Sequence, residues 1–250
     1  MRKNTDNLVS EVMELLKTEN YTQAYELLSK LNKDSKDPKV LKARYLITSP
    51  KNSKYYNEEL ARSYLQLLTE QLHDTWGFTE LGKCYLSGVL FEANSFLAED
   101  MLNRSMHHDP EAKFLVAKIH ADGLHKDGDE SVKDIDEAIN LYKELAESEK
   151  SGRFGNMAKY AYAEIIINKA EPTPDEKLRA FEYLLFLATH KNSNKSKVIF
   201  AEFFIQNLRS LLPSLFSWDT KNATEHETLE LDSRRTACLS ALDVLSKNIS

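Results

Sequence analysis

A chain of 250 residues with a formal net charge of −6 has no surplus of Lys and Arg with which to hold a phosphate backbone, so nucleic acid is not expected as its partner. Seven glycines and six prolines are too few for a sheet-rich fold with many tight turns, and abundant Leu, Ala, Glu, Lys and Tyr read as all-helical. No stretch approaches the ~20 apolar residues that span a bilayer, and Cys84 and Cys238 lie far apart in helical patterns, which suggests neither a disulfide framework nor a paired metal site.

Leu8, Val12, Leu15 and Leu16 mark a first amphipathic helix. A second follows Asn20 and Tyr21, with Ala24, Leu27, Leu28 and Leu31 at spacings of three and four, and the two form one hairpin. Asp6, Glu11 and Glu14 near the start, with no apolar core segment, resemble neither a secretory signal nor a mitochondrial presequence. The expected location is cytoplasmic, with a mitochondrial site peripheral to a membrane complex as the alternative. Sequons such as those at Asn103, Asn194 and Asn222 are then chance matches. Asp37 and Pro38 open the next helix, Asp as a cap and Pro at a position that loses no N–H bond. Val40, Leu41, Tyr45 and Leu46 supply its apolar side, and its partner over residues 55–72 carries Leu60, Ala61, Tyr64, Leu65 and Leu68.

Residues 77–88, GFTELGKCYLSG, begin a third hairpin and set a pattern: a small residue, Leu81-Gly82, Tyr85, then Gly88. The same order recurs at Ala112, Val116-Ala117, His120 and Gly123, and more loosely at Ala158, Tyr162-Ala163, Ile166 and Lys169. On a helix these offsets place a small residue beside bulky ones on one face, so a second helix can approach closely at Gly82, Ala117 and Ala163. The second helices share a template, with Ala98, Met101, Leu102, Ser105 and Met106 matched by Ala138, Leu141, Tyr142, Leu145 and Ala146, and by Ala180, Tyr183, Leu184, Leu187 and Ala188. Asp109, Pro110 and Glu111 punctuate the start of the fourth hairpin, whose internal loop covers residues 124–133. The fifth begins around Asn156, and Thr173 with Glu176 forms a capping box before its second helix. A sixth pair, roughly residues 196–212 and 224–247, closes the C-terminal end. Variation in repeat length falls in loops, which stacked hairpins tolerate.

The central hairpins resemble the Sel-one-like repeat, a relative of the tetratricopeptide repeat. The family pattern is Ala-x3-Leu-Gly-x2-Tyr-x2-Gly, a loop, and a helix with Ala, an aromatic pair and an Ala-Ala pair. Residues 77–88 match its first half, and Glu137, Ala138, Ile139, Asn140, Leu141 and Tyr142 with Leu145-Ala146 are similar to its second. The first two hairpins look more like ordinary tetratricopeptide units. Two departures stand out: Val89-Leu90 follows Gly88 where the family usually has a further glycine, and His120 replaces the aromatic. The resemblance implies an all-α, right-handed α-solenoid of about six antiparallel hairpins in a single domain over residues 1–250. Within it, tetratricopeptide-like hairpins cover 1–73, Sel-one-like hairpins 74–192 and a capping hairpin 193–250. It implies a non-catalytic adaptor or assembly factor, of the quality-control, enzyme-activation or respiratory-complex-assembly type, that holds a protein or peptide partner. A structural subunit of a larger complex, or a helical metal or cofactor carrier, are the alternatives. Because first helices line the groove in this family, the resemblance marks Arg44, Lys83, Lys113 and Lys159 as polar partner contacts. Phe216 and Trp218, in the apolar stretch over residues 213–222, either tuck back as an end cap or present a patch to a partner.

Chemistry-bearing motifs are weak. His107, His108, His120 and His125 cluster in sequence, but His120 and His125 straddle a predicted helix end, where packing and a helix C-terminus explain them better than a metal does. Asp127-Gly128-Asp129-Glu130-Ser131 opens like a calcium loop but has Val132 at the sixth position and Ala138 at the twelfth, so a solvated turn is the better reading. No phosphate loop, nucleophile elbow or zinc-protease pattern is present, and no cofactor is expected. Lys3 and Asn7 begin a carboxylate clamp, but Lys83 lacks a companion Arg one turn later. Lys191, Lys195 and Lys197 lie among Asn and Ser and read as a solvated linker.

Overall fold

The structure, a computed structural model, describes residues 2–49, 54–123 and 133–189, together with Leu229, Asp232, Ser233, Thr236 and Ser240. Among the described residues every regular element is helical, and the chain is an α-solenoid by class. It divides into two compact units, Met1–Asp134 and Ile135–Ser250. The boundary expected between residues 73 and 74 therefore falls inside the first unit. The expected closing hairpin over residues 193–250, like Cys238, lies outside the described residues apart from five isolated helical positions.

The first unit holds α1 (Arg2–Lys17), α2 (Tyr21–Ser29), α3 (Pro38–Thr48), α4 (Glu58–Gln66), α5 (Thr75–Ser87), α6 (Ser95–Asn103) and α7 (Pro110–Asp122). Helices α1 and α2, α3 and α4, and α5 and α6 pair as hairpins, and α7 packs on α6. Short Asx caps set the starts. Asp37, Asp74 and Asp109 cap the first helices by accepting the N–H of Lys39, Gly77 and Glu111, each at 2.9 Å. Asn57 and Asn94 cap second helices by accepting from Leu60 at 3.0 Å and Leu97 at 2.9 Å. Asn20, at the same place in the first hairpin, spends its amide on Gln23 instead. Asn20, Asn57 and Asn94 recur every 37 residues, and four and eight positions after each stand Ala24 and Leu28, Ala61 and Leu65, Ala98 and Leu102, all buried. That periodicity puts an alanine and a leucine on the inner face of every second helix, one turn apart.

The small-residue contact is most direct in α5. A Cβ on Gly82 would stand 2.6 Å from Cγ of Leu102 and 3.1 Å from the carbonyl oxygen of Ala98, so only glycine lets α6 come this close. Ala117 and Ala163, at the corresponding offsets, are fully buried. Helix α4 ends sooner than its apolar pattern, because residues Leu67–Gln71 continue it as one π turn, in which the Leu72 N–H reaches Leu67 O at 3.2 Å. The wide turn sets Leu68 and Thr69 against Gly77, whose added Cβ would meet Leu68 Cβ at 2.9 Å.

The second unit contains α8 (Ile135–Glu147), a single 3-10 turn Glu149–Ser151, α9 (Arg153–Asn168) and α10 (Pro174–Thr189), with α9 packed on both α8 and α10. Helix α9 begins three residues before the expected Asn156, because Gly152 turns the chain at φ +53 and Ser151 closes the turn on Leu145 O at 2.6 Å. The capping box forms as read: the Thr173 N–H donates to Glu176 Oε2 at 2.7 Å and the Glu176 N–H to Thr173 Oγ1 at 3.2 Å. Tyr162 and Tyr183 pack edge to face at 5.2 Å between α9 and α10.

Candidate functional site

The first unit carries a groove of about 1250 Å³ across the first helices of three successive repeats, α3, α5 and α7, closed on one side by the loop between α5 and α6. Its register follows from the Asp caps. Leu46, Lys83 and Lys118 each stand nine positions after Asp37, Asp74 and Asp109, and all three line the groove. The buried lining includes Tyr45, Cys84 and Ile119, with the Tyr45 hydroxyl 3.5 Å from the Cys84 sulfur. Burial, then the neighbouring thiol, pushes the Tyr45 hydroxyl far above its ordinary titration range, so it stays neutral. Toward solvent the lining is open and apolar: Leu86, Val89 and Phe96 are 37 %, 41 % and 43 % exposed.

The loop that carries Val89 is tied down by its own backbone. Gly88, in the left-handed conformation at φ +68, ends α5, while the N–H groups of Val89 and Asn94 return to the carbonyls of Cys84 and Tyr85 at 3.2 and 3.0 Å. At the missing family glycine, Leu90 adopts φ +68. A left-handed non-glycine residue costs about 1–2 kcal/mol, but the Leu90 side chain is buried with Tyr45, Ala61 and Leu65, worth about 1.5–3 kcal/mol, so burial outweighs strain.

The charged part of the site centres on Lys83. Its ammonium pairs with Glu80 one turn earlier on α5 and with Glu111 on α7 at 3.3 Å. Burial alone would lower its pKa, but the two carboxylates, Glu80 first, outweigh that and hold it above the usual lysine range. Glu80 is itself only 9 % exposed and lines the groove. On α7, exposed Lys118 and Asp122 lie one turn apart on the same lining.

Of the four basic residues expected to meet a partner, Lys83 is the one in this groove. Arg44 is 8 % exposed, and its two terminal nitrogens each donate at 2.6 Å to the carbonyls of Asn32 and Lys33, fastening the turn after α2. Lys113 is half-buried on α7, four positions after its cap, in the register that Leu41 and Phe78 fill in the earlier repeats, and lies outside the groove lining. Lys159 belongs to the second unit, where it donates to Ala146 O at 2.6 Å and lies 4.7 Å from the Phe186 ring centre; burial, partly opposed by Glu147, lowers its pKa. Phe216 and Trp218 lie outside the described residues, as do His125, the acidic stretch over residues 127–131 and the lysines at 191, 195 and 197. His107 and His108 are exposed, and His120 Nε2 sits 3.3 Å from Glu99 on α6. No group of three or more His, Cys, Asp or Glu side chains among the described residues is arranged to hold a metal ion. Lys118, Leu86, Val89 and Phe96 were not among the residues expected to meet a partner. Their signal was a loop that carries Val89, Leu90 and Phe91 where polar residues are usual, and a lysine recurring at the ninth position after a capping aspartate.

The sequence matches no protein-family model and no curated protein. Among solved structures, the chain is similar to a Sel1 repeat protein from Oxalobacter formigenes at 14 % identity and a TM-score of 0.53, covering 92 % of this chain and 99 % of that one. The chain has the Sel-one-like repeat fold. A second structure, a protective antigen present in uropathogenic Escherichia coli strains displaying an SLR fold, aligns at 14 % identity and a TM-score of 0.40 over 80 % of this chain and 49 % of that one. At this identity the likeness speaks to architecture. In a Sel-one-like fold the groove across α3, α5 and α7 is made by corresponding helices of consecutive repeats, which accounts for its capped, periodic lining. Among the described residues no helix is long and apolar enough to cross a membrane.

Proposed function

We propose that this chain is a non-catalytic adaptor or assembly factor, cytoplasmic in location, that holds a segment of a protein partner in the groove of α3, α5 and α7. The observation that carries the reading is the pairing of a roughly 1250 Å³ groove with open apolar side chains at its mouth, Leu86, Val89 and Phe96, beside a fixed charged cluster around Lys83. An apolar centre with a polar margin is the composition of a protein-binding surface, and a few residues near the centre of such a contact carry most of its energy. Helical hairpins with capped ends and a buried alanine and leucine inside each of α2, α4 and α6 supply a frame that needs little ordering on this side of the complex.

The test is site-specific photocrosslinking in cells that make the protein. A photoreactive residue in place of Phe96 is expected to yield discrete protein adducts that the same residue at Met157, exposed on α9, does not. Phe96→Ser should abolish co-purification of the crosslinked protein while leaving the unfolding midpoint unchanged, since Phe96 is 43 % exposed. Equal crosslinking from both positions, or undiminished co-purification with Phe96→Ser, overturns the reading.

A further inference from the structure

We propose that residues 88–94, the loop between α5 and α6, form a fixed wall of the groove that stands in place before a partner arrives, and that Leu90 is the positioning residue that holds it there. The inference rests on the groove being the partner-binding surface and adds to it how that surface is kept in shape.

The loop serves two sides. Val89, Ala93 and Asn94 line the groove, whereas Leu90 and Phe91 are outside that lining. Leu90 is buried in one cluster with Tyr45, Ala61, Leu65 and Cys84, and Phe91 packs against the same cluster. Tyr45 and Cys84 also line the groove, so a single cluster backs it on α3, on α5 and at the loop. Phe91 has fastenings of its own, 5.3 Å from the Tyr85 ring and 5.2 Å from the Arg62 guanidinium on α4. At the ends, the N–H groups of Val89 and Asn94 are held by the carbonyls of Cys84 and Tyr85, and the Asn94 side chain caps α6.

These fastenings make a wall and not a lid. A lid needs a second resting place of similar energy, but lifting this loop would bring Leu90 and Phe91 into water and open the backbone bonds at both ends. Leu90 also keeps φ +68, a conformation that disfavours any residue with a Cβ, so its backbone stays left-handed only while its side chain is anchored. Release the anchor and the turn relaxes, taking Val89 with it. A side chain outside the groove lining thus sets the place of one inside it. A wall already in place needs no ordering on binding, whereas ordering even one loosened residue costs about tenfold in affinity.

The experiment uses the full chain and has two arms. In the first, hydrogen exchange is read amide by amide on the protein without a partner. The Val89 and Asn94 amides are expected to exchange at least about a hundredfold more slowly than in an unstructured peptide. Leu90→Ala, which keeps the Cβ and removes the anchor, should lower that protection at least about tenfold with helical circular dichroism unchanged, and Leu90→Met should keep it. Unprotected amides in the native chain, or protection that survives Leu90→Ala, overturn the inference. In the second arm, the adducts formed from a photoreactive residue at position 96, on α6 and outside the loop, should fall about tenfold with Leu90→Ala and recover with Leu90→Met. Undiminished adducts overturn the inference while leaving the groove as a binding surface. If position 96 gives no adducts in the otherwise native chain, the groove reading fails, and the exchange arm decides by itself whether the loop is a fixed wall. Phe91→Ala, which frees the loop from Tyr85 and Arg62, replaces Leu90→Ala if that variant fails to fold.

Discussion

At Gly82 one hydrogen atom decides how near two helices lie. The 2.6 Å that would separate an added Cβ from Leu102 Cγ is too short for any real contact, and the carbonyl oxygen of Ala98, 3.1 Å away, belongs to the α6 backbone and cannot rotate aside. Gly82→Ala therefore sets two effects against each other: a gain of ~1 kcal/mol in helix propensity and an overpacking cost of about 1–3 kcal/mol. Overpacking is expected to win, lowering the urea midpoint at unchanged m value; a raised midpoint would show that α6 can retreat at no cost. Gly82, Ala117 and Ala163 were legible from the sequence because smallness is a property of the residue alone. Arg44 shows the opposite case. A guanidinium satisfies backbone carbonyls as readily as it meets a partner, and only the placement of Asn32 and Lys33 shows which it does.

Helix ends are where these elements are specified. The caps at Asp37, Asp109 and Thr173 could be read directly, since each is followed by Pro or by a glutamate three residues on. The π turn at Leu67–Gln71 could not, because nothing in its composition separates it from the α-helix it continues. Groove register also hid in the caps: counting nine residues from each capping aspartate picks out Leu46, Lys83 and Lys118, whereas choosing basic residues by type led to Lys113. The start of α10 makes a pH-dependent prediction. Burial would raise the Glu176 carboxyl, but hydrogen bonds from Lys169, at 2.8 Å, and from the Thr173 N–H outweigh it and hold it below its ordinary 4.5. A carboxyl lowered on folding stabilises the fold above its unfolded pKa, and the contribution disappears as pH falls through the folded value. Lys169 is raised above its ordinary 10.5, chiefly by its hydrogen bond to Glu176, so the same pair also fades at strongly alkaline pH. Glu176→Gln keeps an acceptor for Thr173 but drops the charge. It should cost about 0.5 kcal/mol between those limits, the size of a solvent-screened pair, and progressively less as pH falls through the folded value, read from thermal midpoints across pH. An unchanged gap at acid pH would rule out the ion pair as its source.

On the scale of the molecule, every residue lining the groove lies between Tyr45 and Gly123, inside the compact unit Met1–Asp134. That unit has its own buried clusters, one around Val12, Ala24 and Val40 and one around Tyr45, Leu65 and Cys84. Residues 1–134 made alone are therefore expected to unfold cooperatively and to retain the protein adducts formed from a photoreactive residue at position 96. Non-cooperative melting by circular dichroism would show that this half borrows its order from the rest. The all-helical class was legible from composition and periodicity, but the place where the chain divides was not, since residues 124–133 read as the internal loop of a single hairpin.

The constant step of 37 residues between Asn20, Asn57 and Asn94 bears on how such a molecule can change over time. Copying or excising one whole step between Asn20 and Asn94 keeps each asparagine, alanine and leucine in phase with its neighbours. Lineages can thus lengthen or shorten the row of hairpins in a single genetic event, without inventing a new joint.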